Sequence, residues 1–224
     1  MTTKKQIKWL LQQLADRNGD LSVVGPFVVV KPLRHVIRTI SVDRTSSADY
    51  PQFFWSIGHS FNPFTSLQGI CLEQFYLERG APSQWSQPGM ADAFIEAAEQ
   101  RILPMLRKVV NIADILRVEG ERSHEFNSTL QYAPYQMHFH AANGQLGEAV
   151  AVLNAIKSGH WSRTTGRRRD FEYATDRLGP LLLAEDRDGI AALLHRWERD
   201  FVEWGGLEAI YESTPFPIEL QPPA

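Results

Sequence analysis

The chain has 224 residues, 43% hydrophobic and 22% charged, a balance that belongs to a globular protein and excludes a disordered tail, a fibre or a disulfide-knotted miniprotein. Lys and Arg number 23 against 26 Asp and Glu, and the net charge of −3 excludes a surface built throughout to neutralise phosphates. The single cysteine, Cys71, excludes an intrachain disulfide and a cysteine-based zinc site; with neither a signal-like apolar block nor an apolar stretch of membrane length, the chain reads as cytoplasmic.

In the opening segment Ile7, Leu10, Leu11 and Leu14 recur at i, i+3, i+4, i+7, which predicts an amphipathic helix with Thr2 or Thr3 as its cap and Asn18-Gly19 as its stop. GPFVVVKP (25–32) and LRHVIRTISVDR (33–44) are rich in β-branched residues and predict two strands. Pro32 cannot donate a ladder hydrogen bond, so it marks an edge or a bend between them. QFFWSIGHSF (52–61) alternates with period two: Phe53, Trp55, Ile57, His59 and Phe61 share a face expected to be buried, and Gln52, Ser56, Gly58 and Ser60 share a polar face with Phe54. TSSADYP ahead of it suits a hairpin loop, GICLEQFYLERG (69–80) reads as a further strand, and APSQWSQPG as a loop.

From Met90 the period becomes 3.6, with Phe94, Ala98, Ile102, Leu106 and Val109 stacked, which predicts a helix of about twenty residues, kinked or restarted at Pro104. The polar, aperiodic GERSHEFNS (120–128) is read as a boundary. Beyond it come two helical hairpins, one turning at Asn143-Gly144 and one over 185–189, the last helix carrying a core stripe of Ile190, Leu193, Leu194, Trp197, Phe201 and Trp204. The closing TPFPIELQPPA is proline-rich and expected to be extended, packed along the surface or offered to a partner. The predicted class is α+β: an N-terminal antiparallel sheet with helices over 1–120, then an all-helical region of two hairpins over 129–224.

Two resemblances accompany this reading. HAANGQLGEAVAVL is similar to the turn and second helix of a tetratricopeptide repeat, with Gly144 and Ala149 where that family keeps small residues; the helix before it lacks the family's tryptophan-leucine-glycine pattern, so the likeness covers one hairpin, around 137–157. Residues 26–118, with the arginine-rich KPLRHVIRTISVDR, an aromatic strand, a further strand and a helix containing ILPML, resemble the bacterial family called domain of unknown function 4304. That resemblance implies a bacterial α+β domain and, the family having no assigned activity, no function.

Among chemistry-bearing residues, His138 and His140 are two apart and so point roughly 200° apart on a helix, too far to grip one ion; no metal site and no cofactor is expected. His59 lies on the apolar face of its strand and reads as a hydrogen-bonded core histidine, or as a catalytic base or polariser if a carboxylate such as Glu73 or Asp43, or a hydroxyl, stands across the sheet. Arg34, Arg38 and Arg44 share parity along one strand between Val36, Ile40 and Val42, a pattern that can form a platform for phosphate or carboxylate. HWSRTTGRRRD (160–170) offers Trp161, Arg167, Arg168 and Arg169 as an anion-binding loop, or as a linker whose arginines face nearby carboxylates. Its place in the more acidic half argues against nucleic acid as a partner. No Walker loop, dinucleotide fingerprint, nucleophile elbow or EF-hand loop is present, and Cys71 reads as a small hydrophobe. The expected function is therefore a cytoplasmic bacterial protein-interaction or binding module without catalytic activity, a toxin-neutralising immunity protein being one form. The alternative is an enzyme or small anionic-ligand-binding protein using the sheet face with Arg34, Arg38 and His59.

Overall fold

The computed structural model describes residues 2–46, 49–63, 67, 71–122, 133–159 and 168–221. Contacts divide the chain into a sheet unit, Met1–His59, Ser66–Val118 and Gly205–Glu212, and a helical unit, Ser60–Thr65, Glu119–Trp204 and Ser213–Ala224. The class is α+β, the antiparallel sheet preceding the run of helices as the change of hydrophobic period predicts. Among the described residues no helix is long and apolar enough to cross a membrane.

The sheet unit opens with α1 (Lys4–Arg17), which buries Ile7, Leu10, Leu11 and Leu14. Thr3 caps it: its Oγ1 accepts from the Gln6 N–H at 3.1 Å while Gln6 Oε1 accepts from the Thr3 N–H at 2.9 Å, so two otherwise orphaned donors are satisfied reciprocally. Five strands then follow in sheet order β1 (Leu21–Val24), β2 (Phe27–Val30), β3 (Val36–Arg44), β4 (Pro51–His59) and β5 (Cys71–Phe75), every neighbouring pair antiparallel. Strand β1 is an addition to the sequence reading. It folds onto β2 through a two-residue turn at Gly25-Pro26, where Gly25 takes a φ of +57° that a side chain would oppose. Pro32 follows a cis peptide bond in the bend between β2 and β3.

The longest pairing joins β3 to β4 from Val36↔His59 to Arg44↔Pro51. Phe53, Trp55, Ile57 and His59 are buried as their parity requires. The opposite face differs from expectation: Gln52 and Phe54 are half-buried, but Ser56 and Gly58 are buried. Burial of Ser56 is tolerable because its hydroxyl meets Thr39 Oγ1, directly across the register, at 2.6 Å.

The helix from Met90 runs as α2 (Met90–Ala97), a π turn (Ala98–Ile102) and α3 (Leu103–Arg107), followed by α4 (Ile112–Arg122). The π turn is the form the kink takes: Pro104 has no N–H to donate and its ring crowds the carbonyl four residues back, a conflict relieved by widening the turn before it. A polar staple ties these helices to the α1–β1 connection. Arg107 donates to both Asp20 oxygens at 2.7 Å and to Asn18 Oδ1 at 2.9 Å, while Arg17 and Asn18 donate to Glu99. The Arg107 hydrogen bonds hold the Asp20 carboxyl below its ordinary pKa. Gly205–Glu212 also belongs here, bound by Leu33 N–H to Ile210 O and Glu212 N–H to Leu33 O, each 2.8 Å.

In the helical unit α5 (Ala133–Ala142) and α6 (Leu146–Lys157) form one hairpin about Gly144, and α7 (Arg168–Leu183) and α8 (Arg187–Gly205) a second; a short α9 (Pro217–Leu220) ends the described chain. Gly179 of α7 lets α6 approach: a Cβ there would lie 3.2 Å from Leu153 Cδ1. Of the α8 stripe, Ile190, Leu193, Leu194, Trp197 and Phe201 are buried, but Trp204 in the last turn is 53% exposed, so the apolar stripe outruns its cover. Gly120, Glu121 and Arg122 lie in α4, with 123–128 outside the described residues, and α7 begins at Arg168 rather than after the arginine run.

Because Trp197 is 1% exposed, Trp197→Ala is expected to cost about 3–5 kcal/mol in denaturant unfolding through the cavity it leaves. Trp204→Ala should cost less than about 1 kcal/mol, and an equal loss in the two variants would refute the asymmetry of the stripe.

Candidate functional site

The three strand arginines do not form a common platform. Arg34 precedes β3 and donates to Glu212 Oε2 from Nη2 at 3.0 Å and from Nε at 3.2 Å, an exposed pair. Arg38 is buried, and its Nη2 donates to Pro32 O at 2.8 Å and Val30 O at 3.2 Å, so its guanidinium closes the bend between β2 and β3. Burial lowers the Arg38 pKa from the ordinary arginine value, and the Asp20 carboxylate opposes that shift. Of the three, Arg44, exposed at the end of β3, is the one that lines a recess.

His59 is 3% exposed on the apolar face of β4. Neither proposed carboxylate stands opposite it: His59 pairs with Val36, while Asp43 pairs with Gln52 and Glu73 with Trp55. His138 is fully buried in the helical unit, its ring 5.0 Å from that of Trp197, and desolvation pushes its pKa down to about 3. A ring held neutral this firmly is a core residue rather than a proton carrier near neutral pH. His140 instead stands beside Gln145, with Nδ1 3.0 Å from Oε1. Among the described residues no three His, Cys, Asp or Glu side chains gather where they could hold a metal ion. Trp161 and Arg167 lie outside the described residues, as do the side chains of Arg168 and Arg169.

The recess at Arg44 occupies about 720 Å³ in the sheet unit, a size typical of sites that enclose small molecules or partner side chains. Three neighbouring pieces of chain build it. The flank of α1 contributes Lys4, Ile7 and Lys8, the β1–β2 turn contributes Gly25 and Pro26, and the end of β3 contributes Val42, Asp43 and Arg44. Ile7 and Val42 are buried and supply an apolar floor with Pro26, whereas Lys4, Lys8 and Arg44 are exposed around it. Asp43 is the single carboxylate in the lining. Among the described residues none of the three cations forms an ion pair, in contrast to Arg17, Arg34, Arg107 and Arg117. The arrangement can accept an anionic group on an apolar body: the floor takes the body and the cations take the charge.

Sequence reasoning finds Arg44 but misses Lys4 and Lys8. Their spacing of four places both on one flank of the predicted helix beside Ile7, which is a usable signal. That the flank faces the end of β3 depends on tertiary packing. If Arg38 closes a bend rather than binding a ligand, Arg38→Met should lose about 1–3 kcal/mol in denaturant unfolding, since the Val30 and Pro32 carbonyls lose their donor; unchanged stability would return Arg38 to the list of ligand contacts.

No protein-family model, curated protein or solved structure gives a significant match to this chain.

Proposed function

We propose that this protein is a binding module without catalytic activity, and that its sheet unit takes an anionic group of its partner in the recess between α1, the β1–β2 turn and the end of β3. The observation that carries this reading is the gathering of Lys4, Lys8 and Arg44, none ion-paired among the described residues, around the apolar floor of Ile7, Pro26 and Val42. Cations without an ion pair around an apolar lining favour a ligand that brings both charge and apolar surface, because such a ligand gains burial as well as attraction. An acidic segment of a protein partner supplies both, and a toxin-neutralising immunity protein is one form of such a module. The lone cysteine suits a reducing setting such as a bacterial cytoplasm. The second reading is a free amphiphilic anion, favoured by a volume within the range of small-molecule sites.

Both readings predict that the folded protein enhances the fluorescence of anilinonaphthalene sulfonate, an aromatic anion, in a saturable and salt-sensitive titration. The double substitution Lys8→Glu with Arg44→Glu should weaken that binding at least about tenfold without altering the far-ultraviolet circular dichroism. Equal affinity in the two proteins would refute the site. An acidic, leucine-containing peptide that displaces the dye more strongly than a medium-chain carboxylate supports the protein partner, and the reverse order supports the free amphiphile.

A further inference from the structure

The helical unit ends in the segment TPFPIELQ (214–221), whose side chains are locked unevenly. Phe216 and Ile218 are buried, whereas Leu220 is 70% exposed. The Phe216 ring stands edge-on to Phe61 at 5.2 Å and lies 4.7 Å from the His195 ring of α8. Backbone and amide bonds add to this seat: Arg187 Nη2 donates to Ile218 O at 2.8 Å, and Gln221 Nε2 donates to Asn143 O at 2.8 Å.

The charged part of the contact centres on His195. Its Nε2 is 2.9 Å from Glu219 Oε2, and its Nδ1 is 3.4 Å from Glu198 Oε2. The same Glu219 oxygen accepts the Phe216 N–H at 2.6 Å, and Glu198 Oε1 accepts the Ser60 hydroxyl at 2.6 Å. A neutral imidazole carries one N–H, and an ionised carboxylate only accepts. With both carboxylates ionised, a ring that has one at each nitrogen can satisfy both only as imidazolium.

We propose that the C-terminal segment is a proton-operated strap: imidazolium at His195 clamps it to α8 through Glu219, and loss of that proton opens the clamp and lets Phe216 and Ile218 leave their seat. This goes beyond the binding recess, which lies in the other unit.

The side on which the clamp fails follows from burial. The Glu198 side chain is fully buried, whereas that of Glu219 is 33% exposed. Glu219 can turn to water on release, whereas Glu198 is held on the same helix as His195 and by the Ser60 hydroxyl, so the last ring proton stays on Nδ1 and the lone pair appears at Nε2, facing Glu219. Glu198 and Glu219 both raise the His195 pKa, the Glu198 contact most, against an opposing effect of burial. Glu198 stays beside His195 on α8 whether or not the strap is seated, so the part of that rise linked to docking is the one Glu219 supplies: the proton favours docking, and docking weakens as pH climbs through the docked-state value. Among the described residues Arg187 also stands at this seat, and it stays cationic throughout that range. His138, pushed down to about 3, is neutral in both forms above the ordinary histidine value and adds nothing to the same window.

Amide exchange of the full-length protein, followed by nuclear magnetic resonance and corrected for intrinsic rates, tests the strap. Protection of the Phe216 and Glu219 amides should fall at least about fivefold between about pH 6.5 and about pH 9. That of Leu153, in the core of α6, should stay constant and so separate strap opening from global unfolding. His195→Gln should abolish the pH dependence, as should Glu219→Gln if the first variant fails to fold. Tail protection that is flat with pH in the parent protein, or a fall that persists in the folded variant, would overturn the proposal.

Discussion

Continuous burial of β3 is the constraint on which the sheet unit depends. Its residues 36–42 are all buried, and only Asp43 and Arg44 emerge. A strand enclosed on both faces cannot present polar side chains freely; each must find a partner or leave the strand's interior. Thr39 therefore meets Ser56, Arg38 folds back onto two carbonyls, and Arg34 stands ahead of the strand against Glu212. The end of β3 escapes the constraint, and there Arg44 joins Lys4 and Lys8 around a recess. The recess proposed to bind charge thus lies where the buried strand runs out.

Elements governed by a strong local period were legible in the sequence. The α1 stripe, the alternation of β4, the switch to helical period at Met90 and both helical hairpins follow from spacing alone. What escaped was set by partners distant in sequence. Parity along β3 treats Arg34, Arg38 and Arg44 as equivalent, yet one precedes the strand, one is buried in it and one emerges from it. The polar parity of β4 is likewise overridden at Ser56 by a hydroxyl partner on β3. Strand β1 was missed because a Gly-Pro turn splits a single β-branched run into a hairpin, leaving four residues on one side. Trp204 fits the helical stripe perfectly in phase, but phase says nothing about where the covering elements stop.

The helical unit handles buried ionisable groups in two opposite ways. His138 is enclosed by aromatic rings and made neutral by desolvation. His195 and Glu198, which flank Trp197 along α8, instead form a chain of complementary groups from the Ser60 hydroxyl to the Glu219 carboxylate. The first arrangement makes a rigid core indifferent to protons above acid pH, and the second makes attachment of the tail depend on one. The contrast explains why counting histidines reveals little: the same side chain is a packing element or a charge clamp according to whether carboxylates share its burial.

The binding role proposed for the sheet unit rests on cations that the fold gathers without an ion pair among the described residues, and location is what most directly tests it. Titration of isotopically labelled protein with decanoate, an apolar chain ending in a carboxylate, should shift the amide resonances of Lys4, Lys8, Gly25, Val42 and Arg44 in a saturable manner while those of α6 and α8 stay in place. Saturable shifts centred on any other group of residues, or none at this recess, would contradict the account.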